Sequence, residues 1–383
     1  MSIVLKGITW HHSRGFVPLA ATAQRFAERN PGVEIVWEKR SLQQFADAPI
    51  EQLAERYDLL VIDHPWAGFA ADRRILVPLE RHLPASFLED QGRHSVGRSH
   101  ESYNFGGYQS ALAIDAATPV ASYREDIMAR EAAEPPTTWE ELLALAERGL
   151  VAFPGIPIDT LMNFYMLCSS LGEDPFLRDS EVVSCEIGIQ ALERLKELAG
   201  YCPQEMFGWN PIQLYEAMAV RGDIAYCPFA YGYSNYSRPG YAANVITFAD
   251  TVRLGERKLR TTLGGTGLAV SVRCRHLDEA LQYAMYTADP AAQRTLYAQS
   301  GGQPGHRAAW TDAAVNRSCG GYFERTLTAL DRSFLRPRYS GYLHFQDRAG
   351  DFVRRYAMQG GDAGGVLEKL NDLYRDSRRE GAL

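Results

Sequence analysis

The chain of 383 residues is 46% hydrophobic and 23% charged, which is ordinary for a globular protein but too long for one hydrophobic core of typical size. Its 40 basic and 47 acidic residues give a formal net charge of -7, with no long block of like charge, and this argues against nucleic acid or an anionic membrane surface as a main partner. We therefore expect two lobes.

The first 30 residues lack the basic start, the apolar segment and the small-residue cleavage site of a secretory signal. No stretch of the sequence reaches the ~18 apolar residues that a membrane span requires. The sequence as it stands predicts a cytoplasmic protein, whereas a truncated start would make it periplasmic.

The chain begins with alternating strands and helices. An apolar strand from Ile3 to Ile8 is followed by an amphipathic helix that ends at Asn30. The next two strands are "VEIVWEKR" and "YDLLVIDHP", and the second of them is apolar from Leu59 to Ile62. This order is typical of a parallel sheet with covering helices.

Parallel sheets bind ligands outside the carboxyl ends of their strands, where loops and helix N-termini converge. The rule singles out the segments "TWHHSRG", "WEKRS" and "DHPWAGF". Their aromatic, acidic and imidazole side chains offer apolar ring faces and directional hydrogen bonds. The candidate binding residues of these segments are Trp10, His11, His12, Arg14, Asp63, His64 and Trp66. The competing interpretation of the histidines is capping of the following helix or ordinary packing.

The middle of the chain is richer in helices. In "PPTTWEELLALAERG", Thr138 and Glu141 predict a capping box at a helix start. A helix from about Ile187 to Ala199 follows, then the helix of "LYEAMAV", the strand "DIAYCPF" and a loop rich in tyrosine. The segment "TTLGGTGLAVSV" predicts a pair of glycine-rich strands before the helix "HLDEALQYAMYTAD".

The order of these motifs resembles the extracellular solute-binding proteins of ABC transporters, family 1. The resemblance rests on "YDLLVIDHPWAGFAADRRILVPLE", on "PPTTWEEL" from Pro135, on "YEAMAVRGDIAYCPFAYG", and on "LGGTGLAVSV" followed by "SGGQPGH". It extends from about residue 3 to residue 378, where the closing helices of the family also find a counterpart. The usual "YYNKD" of the family is replaced by "SYRED" at Ser122 to Asp126.

The resemblance implies an α/β, two-lobed periplasmic-binding-protein-like fold in which each lobe is a mostly parallel sheet flanked by helices and hinge crossings join the lobes. Lobe I is expected at residues 1–115 and 262–312, and lobe II at residues 116–261 and 313–383. The implied function is binding of a small polar solute in the interlobe cleft by hinge closure, with ABC transporter permease subunits as partners. A monomer without cofactor or metal is expected.

Further candidates come from segments that this fold would bring to the cleft. Asp115 and the residues at the start of the helix "DTLMNFYMLCSSLG" can face a ligand or cap a turn, while the glycine-rich turn can present backbone N–H groups. The candidates of this second set are Tyr108, Asp115, Asp159, Asn163, Tyr231, Gly265, Thr266, Gln303 and Tyr342. His306 and His344 are weaker members of it.

The charge of the solute stays open at this point. Arg14 and Arg40 follow strand ends, where either can form a bidentate pair with a carboxylate or phosphate. The alternative is a solvated arginine paired to a surface acid. A sugar-like solute and a small carboxylate are therefore both compatible with the sequence.

The rival function is a cytoplasmic enzyme on the same scaffold, with Asp63, His64 and His12 as acid–base residues. The six cysteines show no zinc-ligand spacing and are interpreted as reduced thiols, with a Cys185–Cys202 disulfide conceivable in an exported protein. Because no known catalytic fingerprint is present, we favour binding without chemistry.

Overall fold

The computed structural model describes residues 2–42, 44 and 49–380, with the side chain of Glu380 excepted. Within these ranges, the helices are all too short or too polar to cross a membrane.

The strands are numbered in chain order: β1 (Ile3–Trp10), β2 (Val33–Arg40), β3 (Leu59–Ile62), β4 (Asn104–Phe105), β5 (Tyr108–Gln109), β6 (Leu112–Ala117), β7 (Pro119–Tyr123), β8 (Tyr226–Tyr231), β9 (Thr247–Ala249), β10 (Arg253–Leu254), β11 (Arg257–Lys258) and β12 (Gly264–Val270).

The α-helices are α1 (Ser13–Arg29), α2 (Ile50–Arg56), α3 (Trp66–Arg73), α4 (Ala85–Arg93), α5 (Ser99–Ser102), α6 (Glu125–Arg130), α7 (Trp139–Glu147), α8 (Pro157–Leu171), α9 (Cys185–Gly200), α10 (Pro211–Val220), α11 (Leu277–Ala288), α12 (Pro290–Ala292), α13 (Arg307–Trp310), α14 (Ala313–Ser318), α15 (Tyr322–Asp331), α16 (Tyr342–Gln359) and α17 (Ala363–Glu380). Single 3₁₀ turns lie at Leu79–Arg81, Gln204–Gly208 and Ser234–Ser237, and a π-helical turn lies at Gln293–Tyr297.

The described chain divides into two compact units. The first comprises Met1–Ala117, Gly264–Glu324 and Arg338–Ser340, and the second Thr118–Leu263, Arg325–Pro337 and Gly341–Leu383. The sequence placed the ends of the first three segments at residues 115, 261 and 312, and the structure has them at residues 117, 263 and 324. The third end lies later because α13, α14 and the start of α15 pack in the first unit, where Trp310 meets Phe323 edge to face with ring centroids 4.9 Å apart.

The first unit is built on a five-stranded sheet of order β2-β1-β3-β12-β6. The apolar strands β1 and β3 run parallel, and their buried residues join those of α1 and α11 in one hydrophobic core. β12 runs antiparallel to both of its neighbours, β3 and β6.

These directions bring five chain segments to one end of the sheet. β1, β2 and β3 end there, β6 ends there at Ala117, and β12 begins there at Gly264. We call this end the carboxyl edge; it comprises residues 10–14, 40, 62–66, 115–117 and 264–266.

The second unit combines a three-stranded sheet of order β8-β7-β9 with packed helices, among them α8, α9, α16 and α17. β7 is antiparallel to both neighbours. Phe176 lies at the centre of an aromatic cluster and contacts the rings of Tyr165, Tyr342, Phe345 and Tyr374 edge to face. These aromatic contacts hold the helices of this unit together, in addition to the packing of the apolar face of each helix.

The predicted α/β class is confirmed, but the strand directions differ from the expectation of mostly parallel sheets. Among the described strands of the first unit, only β1 pairs in parallel, with β2 and β3, and in the second unit the strand pairings of β7 are antiparallel. The segment expected to form two glycine-rich strands forms one, β12. After the second unit the chain re-enters this sheet at the end where β3 terminates, so β12 runs antiparallel to β3.

Candidate functional site

The carboxyl edge contains a buried ion pair between Arg14 and Asp115. Arg14 Nε donates to Asp115 Oδ2 at 2.9 Å and Arg14 Nη2 donates to Asp115 Oδ1. Both side chains are almost fully buried. Burial raises the pKa of the Asp115 carboxyl, and the Arg14 guanidinium acts in the opposite direction. The alternative of a solvated Arg14 is wrong, because α1 begins at Ser13 and its first turn directs this side chain into the protein.

Gln303 supports the acidic end of this pair. Its side chain is fully buried and donates through Nε2 to Ala116 O at 3.2 Å, while Ala116 N donates to Gln303 O at 2.9 Å. Gln303 also hydrogen bonds to the Asp115 carboxylate through its backbone and to Tyr322 through its side chain. Its role in the folded chain is thus to fasten the segment after the π-helical turn to the end of β6.

His12 is the N-cap of α1. Its Nδ1 accepts from Arg14 N at 3.0 Å, and burial, with smaller contributions from Arg14 and His11, lowers the pKa of His12 to about 3. His11 is exposed, and Trp10 is 3% exposed with its indole packed against Gly15. The capping interpretation of His12 therefore describes its contacts, and Trp10 belongs to the core.

The end of β3 places three candidates in a tight turn. Asp63 Oδ1 accepts from His64 N at 2.8 Å and lies 3.2 Å from His64 Nδ1. His64 is 1% exposed and meets the ring of Tyr103 edge to face. Trp66, also buried, begins α3 and packs edge to face on Phe69. Of these residues Asp63 has the most accessible side chain, at 23%.

Gly265 and Thr266 open β12 opposite Asp115. Gly265 has a φ of +111°, and a Cβ at this position would lie 2.3 Å from Asp115 O, so only glycine fits. Thr266 is the register partner of Asp115 and is 4% exposed. Among the described residues its Oγ1 has no hydrogen-bond partner. A buried hydroxyl without a partner is costly, and a bound solute can supply the missing bond.

Arg40, the other candidate cation, is also turned inward. Its Nη2 donates to Val61 O at 3.1 Å and its Nη1 to Gln44 O at 3.3 Å. Burial lowers the pKa of Arg40 to about 10. The alternative of a solvated arginine is wrong here as well, because the guanidinium is held by carbonyl oxygens inside the first unit.

Tyr108 does not lie with the other candidates of the first unit. Its hydroxyl donates to Leu76 O, and Leu76 bridges Ser271, just beyond the end of β12 at Val270. This is the end of the sheet opposite the carboxyl edge. Tyr108 lines a cavity of about 440 Å³ there together with Arg74, Glu80, Arg81 and Phe105 among others. Burial raises the pKa of Tyr108 to about 12.

In the second unit, the first turn of α8 carries two buried polar side chains. Asp159 is 6% exposed and Asn163, one turn later, is 3% exposed. Across residues 2–42, 44 and 49–380, neither Asp159 Oδ2 nor Asn163 Nδ2 has a hydrogen-bond partner. Burial raises the pKa of Asp159 to about 8. Buried amide and carboxyl groups without a protein partner need a hydrogen bond from an ordered water or a ligand.

The aromatic candidates of the second unit have structural partners. Tyr231 ends β8, and its hydroxyl lies 2.9 Å from Thr262 Oγ1. Tyr342 is fully buried in the cluster around Phe176. Tyr236, from the tyrosine-rich loop, is also buried and donates to Glu216 Oε1 at 2.6 Å.

Some polar groups of the second unit escaped the sequence analysis. Asn235 Oδ1 and Trp139 Nε1 are buried and lack hydrogen-bond partners in the part of the chain that the structure describes. The sequence alone does not mark them as buried polar groups, because Trp139 looks like the first apolar residue of α7 and Asn235 like an ordinary loop residue.

One group of side chains, Asp90, His94 and His306, has the chemistry of a metal site. The sequence analysis found no such cluster because it searched for zinc-ligand spacings along the chain. The available signal was the spacing of Asp90 and His94, which suits one helical turn. The six cysteines are free thiols, so the conceivable Cys185–Cys202 disulfide is not formed.

Comparison with known proteins gives a consistent picture. A family model described as bacterial extracellular solute-binding protein matches residues 21–317. The maltotriose-binding protein of Pyrococcus abyssi is 24% identical over 145 residues, a stretch of 37% of this chain and 30% of that protein. The chain thus matches less than a third of that relative's length.

Solved structures match over nearly the whole chain. The maltose-bound MalE3 of T. maritima has a TM-score of 0.85 at 16% identity, covering 98% of this chain and 100% of that chain. An ABC transporter solute-binding protein from Agrobacterium radiobacter K84, in complex with ribitol, has a TM-score of 0.82 at 17% identity, covering 98% of each chain. These likenesses show that the predicted periplasmic-binding-protein-like fold is correct.

Proposed function

The chain belongs to the family of bacterial extracellular solute-binding proteins, and we propose that it binds a small neutral solute rich in hydroxyl groups, a sugar or polyol. The proposal includes delivery of that solute to the permease subunits of an ABC transporter and a location outside the cytoplasm. Hinge closure over the solute and a monomeric state remain predictions of the sequence.

The observation that carries this proposal is the pair Asp159 and Asn163. Both are buried, and their Oδ2 and Nδ2 atoms lack partners among the residues that the structure describes. With its pKa near 8, Asp159 is mostly protonated at neutral pH and offers one donor and one acceptor. Asn163 adds an amide that can donate and accept. These uncharged groups match the hydroxyl groups of a sugar or polyol.

The arginines considered for anion recognition argue against a carboxylate solute. Arg14 is neutralised by Asp115 through two hydrogen bonds, and Arg40 donates to two carbonyl oxygens. Recruiting Arg14 for a carboxylate would leave Asp115 as a buried unpaired charge, which is strongly unfavourable. The carboxyl edge therefore supports a neutral solute better than an anionic one.

The relatives support the same class. The similar proteins named above bind maltotriose, maltose and ribitol, which are all neutral and hydroxyl-rich. At these identities the comparison supports the solute class and does not single out one member of it.

The experiment is a thermal-shift screen followed by titration calorimetry. The full chain is tested against maltose, maltotriose, ribitol and mannitol on one side, and against succinate and citrate on the other. We expect at least one sugar or polyol to raise the melting temperature and none of the carboxylates to do so. A carboxylate that binds while the sugars and polyols fail would overturn the proposal.

A variant pair then tests the site. Asp159→Leu replaces both carboxyl oxygens by methyl groups on a side chain with the same branching, and Asp351→Leu makes the same change at an exposed position of α16 in the same unit. We expect Asp159→Leu to weaken solute binding by at least about tenfold, equivalent to roughly 1.4 kcal/mol, and Asp351→Leu to leave it unchanged. If the two variants bind the solute with equal affinity, Asp159 does not contact the solute.

A further inference from the structure

Asp90, His94 and His306 converge on one point of the first unit. Asp90 Oδ1 lies 2.8 Å from His94 Nδ1, and Asp90 Oδ2 lies 3.3 Å from His306 Nε2. One possible ligand atom from each residue lies within 4.8 Å of the other two. We propose that these three side chains bind a single Zn²⁺ ion, at a site separate from the carboxyl edge.

The backbone holds the two ligand-bearing segments together without a metal. His94 directly follows α4, and its carbonyl accepts from Arg307 N at 2.7 Å. Two residues away, Val96 N donates to Gly305 O at 3.1 Å. Gly305 in turn packs so closely on β6 that a Cβ would lie 2.2 Å from Ala113 O. The segment that presents His306 is therefore fixed against both α4 and the sheet, and such preorganisation favours a metal site.

Only small side-chain shifts separate this arrangement from zinc coordination. Zinc binds imidazole nitrogen and carboxylate oxygen at about 2.0–2.2 Å, so two of its ligand atoms lie no more than roughly 4 Å apart. His306 is nearly buried at 5% side-chain exposure, whereas His94 is 46% and Asp90 39% exposed. The His94 ring has room to turn toward an ion that His306 and Asp90 already flank.

The ligand atoms of this group suit zinc. Two imidazoles and one carboxylate are typical ligands of zinc, whereas magnesium and calcium prefer sites made of oxygen atoms.

Zinc binding changes the hydrogen bonding of His306. Its Nδ1 accepts from Ala308 N at 3.2 Å, so the neutral ring carries its proton on Nε2, toward Asp90. A zinc ion on Nε2 moves that proton to Nδ1, because a zinc-bound imidazole usually keeps its other N–H. The Nδ1–H would then face Ala308 N–H, so zinc binding costs the capping bond of α13, a helix of four residues, and requires its first turn to shift.

The test is zinc binding to the full chain after metal has been removed with a chelator. Calorimetry with Zn²⁺ alone is carried out on the natural protein, on Asp90→Asn, on His94→Ala and on the control His82→Ala, which changes an exposed histidine of the same unit. Each chain is first shown to be folded by its melting temperature in chelator. Mg²⁺ and Ca²⁺ are titrated in parallel.

We expect one equivalent of Zn²⁺ on the natural protein and on His82→Ala, at least a tenfold weaker binding by His94→Ala and Asp90→Asn, and no comparable binding of Mg²⁺ or Ca²⁺. The visible spectrum with Co²⁺ gives a second readout, because a cysteine ligand would add a sulfur-to-metal charge-transfer band that this site lacks. Unchanged zinc affinity in both ligand variants, a thiolate band, or no stoichiometric zinc binding to the natural protein would overturn the proposal.

Discussion

Arg14 and Asp115 stand 101 positions apart in the sequence and form a doubly hydrogen-bonded ion pair that is almost completely buried. The pair connects the first turn of α1, which follows β1, to β6, and β1 and β6 lie on opposite sides of the central strand β3 in the sheet order. It fixes the geometry of the carboxyl edge from within.

Removing one member of this pair leaves the other as a buried, uncompensated charge. We expect Arg14→Met to lower the free energy of unfolding by about 3–5 kcal/mol, measured by chemical denaturation. The double variant Arg14→Met/Asp115→Leu regains most of this loss, because an apolar pair of similar volume avoids the desolvation of two charges.

The matched control is Arg25→Met. Arg25 pairs with Glu28 on α1, but both side chains are about half exposed, so the loss is within about 1 kcal/mol. If Arg14→Met destabilises the protein no more than Arg25→Met does, the buried pair contributes nothing special to the fold.

Local features were predictable from the sequence because their causes are local. β3 spans the apolar run Leu59–Ile62 as predicted, and the capping box of Thr138 and Glu141 forms at the start of α7. Strand direction was not predictable in this way. β12 runs antiparallel because the chain leaves the first unit for more than a hundred residues before it returns, and no local pattern encodes the side from which it enters.

In the candidate site, too, features with a local cause were predictable from the sequence and tertiary contacts were not. The strand-end rule placed Arg14 and Asp63 at the carboxyl edge, since strand ends are visible in the sequence. It could not tell that Arg14 would be neutralised by Asp115, because partner choice depends on tertiary contacts. Tyr108 was misplaced for a related reason: the short hairpin of β4 and β5 precedes β6 and therefore lies at the opposite end of the sheet.

His12 makes the stability of the protein depend on pH. The pKa of His12 falls from 6.5 to about 3 on folding, mainly through burial. Between these values the unfolded chain binds a proton that the folded chain does not, so stability falls as the pH falls through this window, by up to about 1.4 kcal/mol per pH unit. His12→Asn keeps a capping acceptor and removes the titration.

Urea unfolding at pH 7 and pH 4.5 checks this effect. We expect His12→Asn to lose clearly less stability between the two pH values than the natural protein does. The control is His11→Asn at the exposed neighbouring position, which should keep the natural pH dependence. Parallel losses in all three proteins would show that His12 is not responsible.

Asp159 makes the stability of the protein depend on pH in the opposite direction to His12. Burial raises its pKa from 3.8 to about 8, so above pH 4 the unfolded chain releases a proton that the folded chain retains. Stability contributed by this group is complete below about pH 4 and is lost as the pH rises toward 8. We expect Asp159→Asn to be more stable than the natural protein at pH 8 by several kcal/mol at most, and nearly equal to it at pH 4.

Thermal unfolding of the solute-free protein at these two pH values tests the claim, with Asp351→Asn as the exposed control in the same unit. A constant difference between Asp159→Asn and the natural protein at both pH values would mean that the Asp159 carboxyl does not titrate abnormally.

Thr266 carries a hydroxyl that folding buries. Its Oγ1 has no partner among the described residues, so Thr266→Val removes a desolvated hydroxyl at similar side-chain size. We expect the free energy of unfolding to be unchanged or raised by up to about 1 kcal/mol. Thr22→Val is the contrasting control, since Thr22 Oγ1 lies 3.0 Å from Tyr283 Oη and donates to Pro18 O at 2.9 Å. That variant should lose stability in urea unfolding, and an equal loss in both variants would show that Thr266 Oγ1 stabilises the fold as Thr22 Oγ1 does.

Gly265 distinguishes a close backbone approach from backbone strain. Gly32 and Gly265 both have positive φ angles, +96° and +111°, but a Cβ on Gly32 meets no atom within 4 Å, whereas one on Gly265 would lie 2.3 Å from Asp115 O. Gly32→Ala therefore carries only the conformational cost of roughly 1–2 kcal/mol. Gly265→Ala must also part β12 from β6 beside the Arg14–Asp115 pair, so we expect it to cost at least twice as much in urea unfolding. Equal costs would show that the two strands can separate at this point without loss, and that the carboxyl edge is not held by the contact between Gly265 and Asp115.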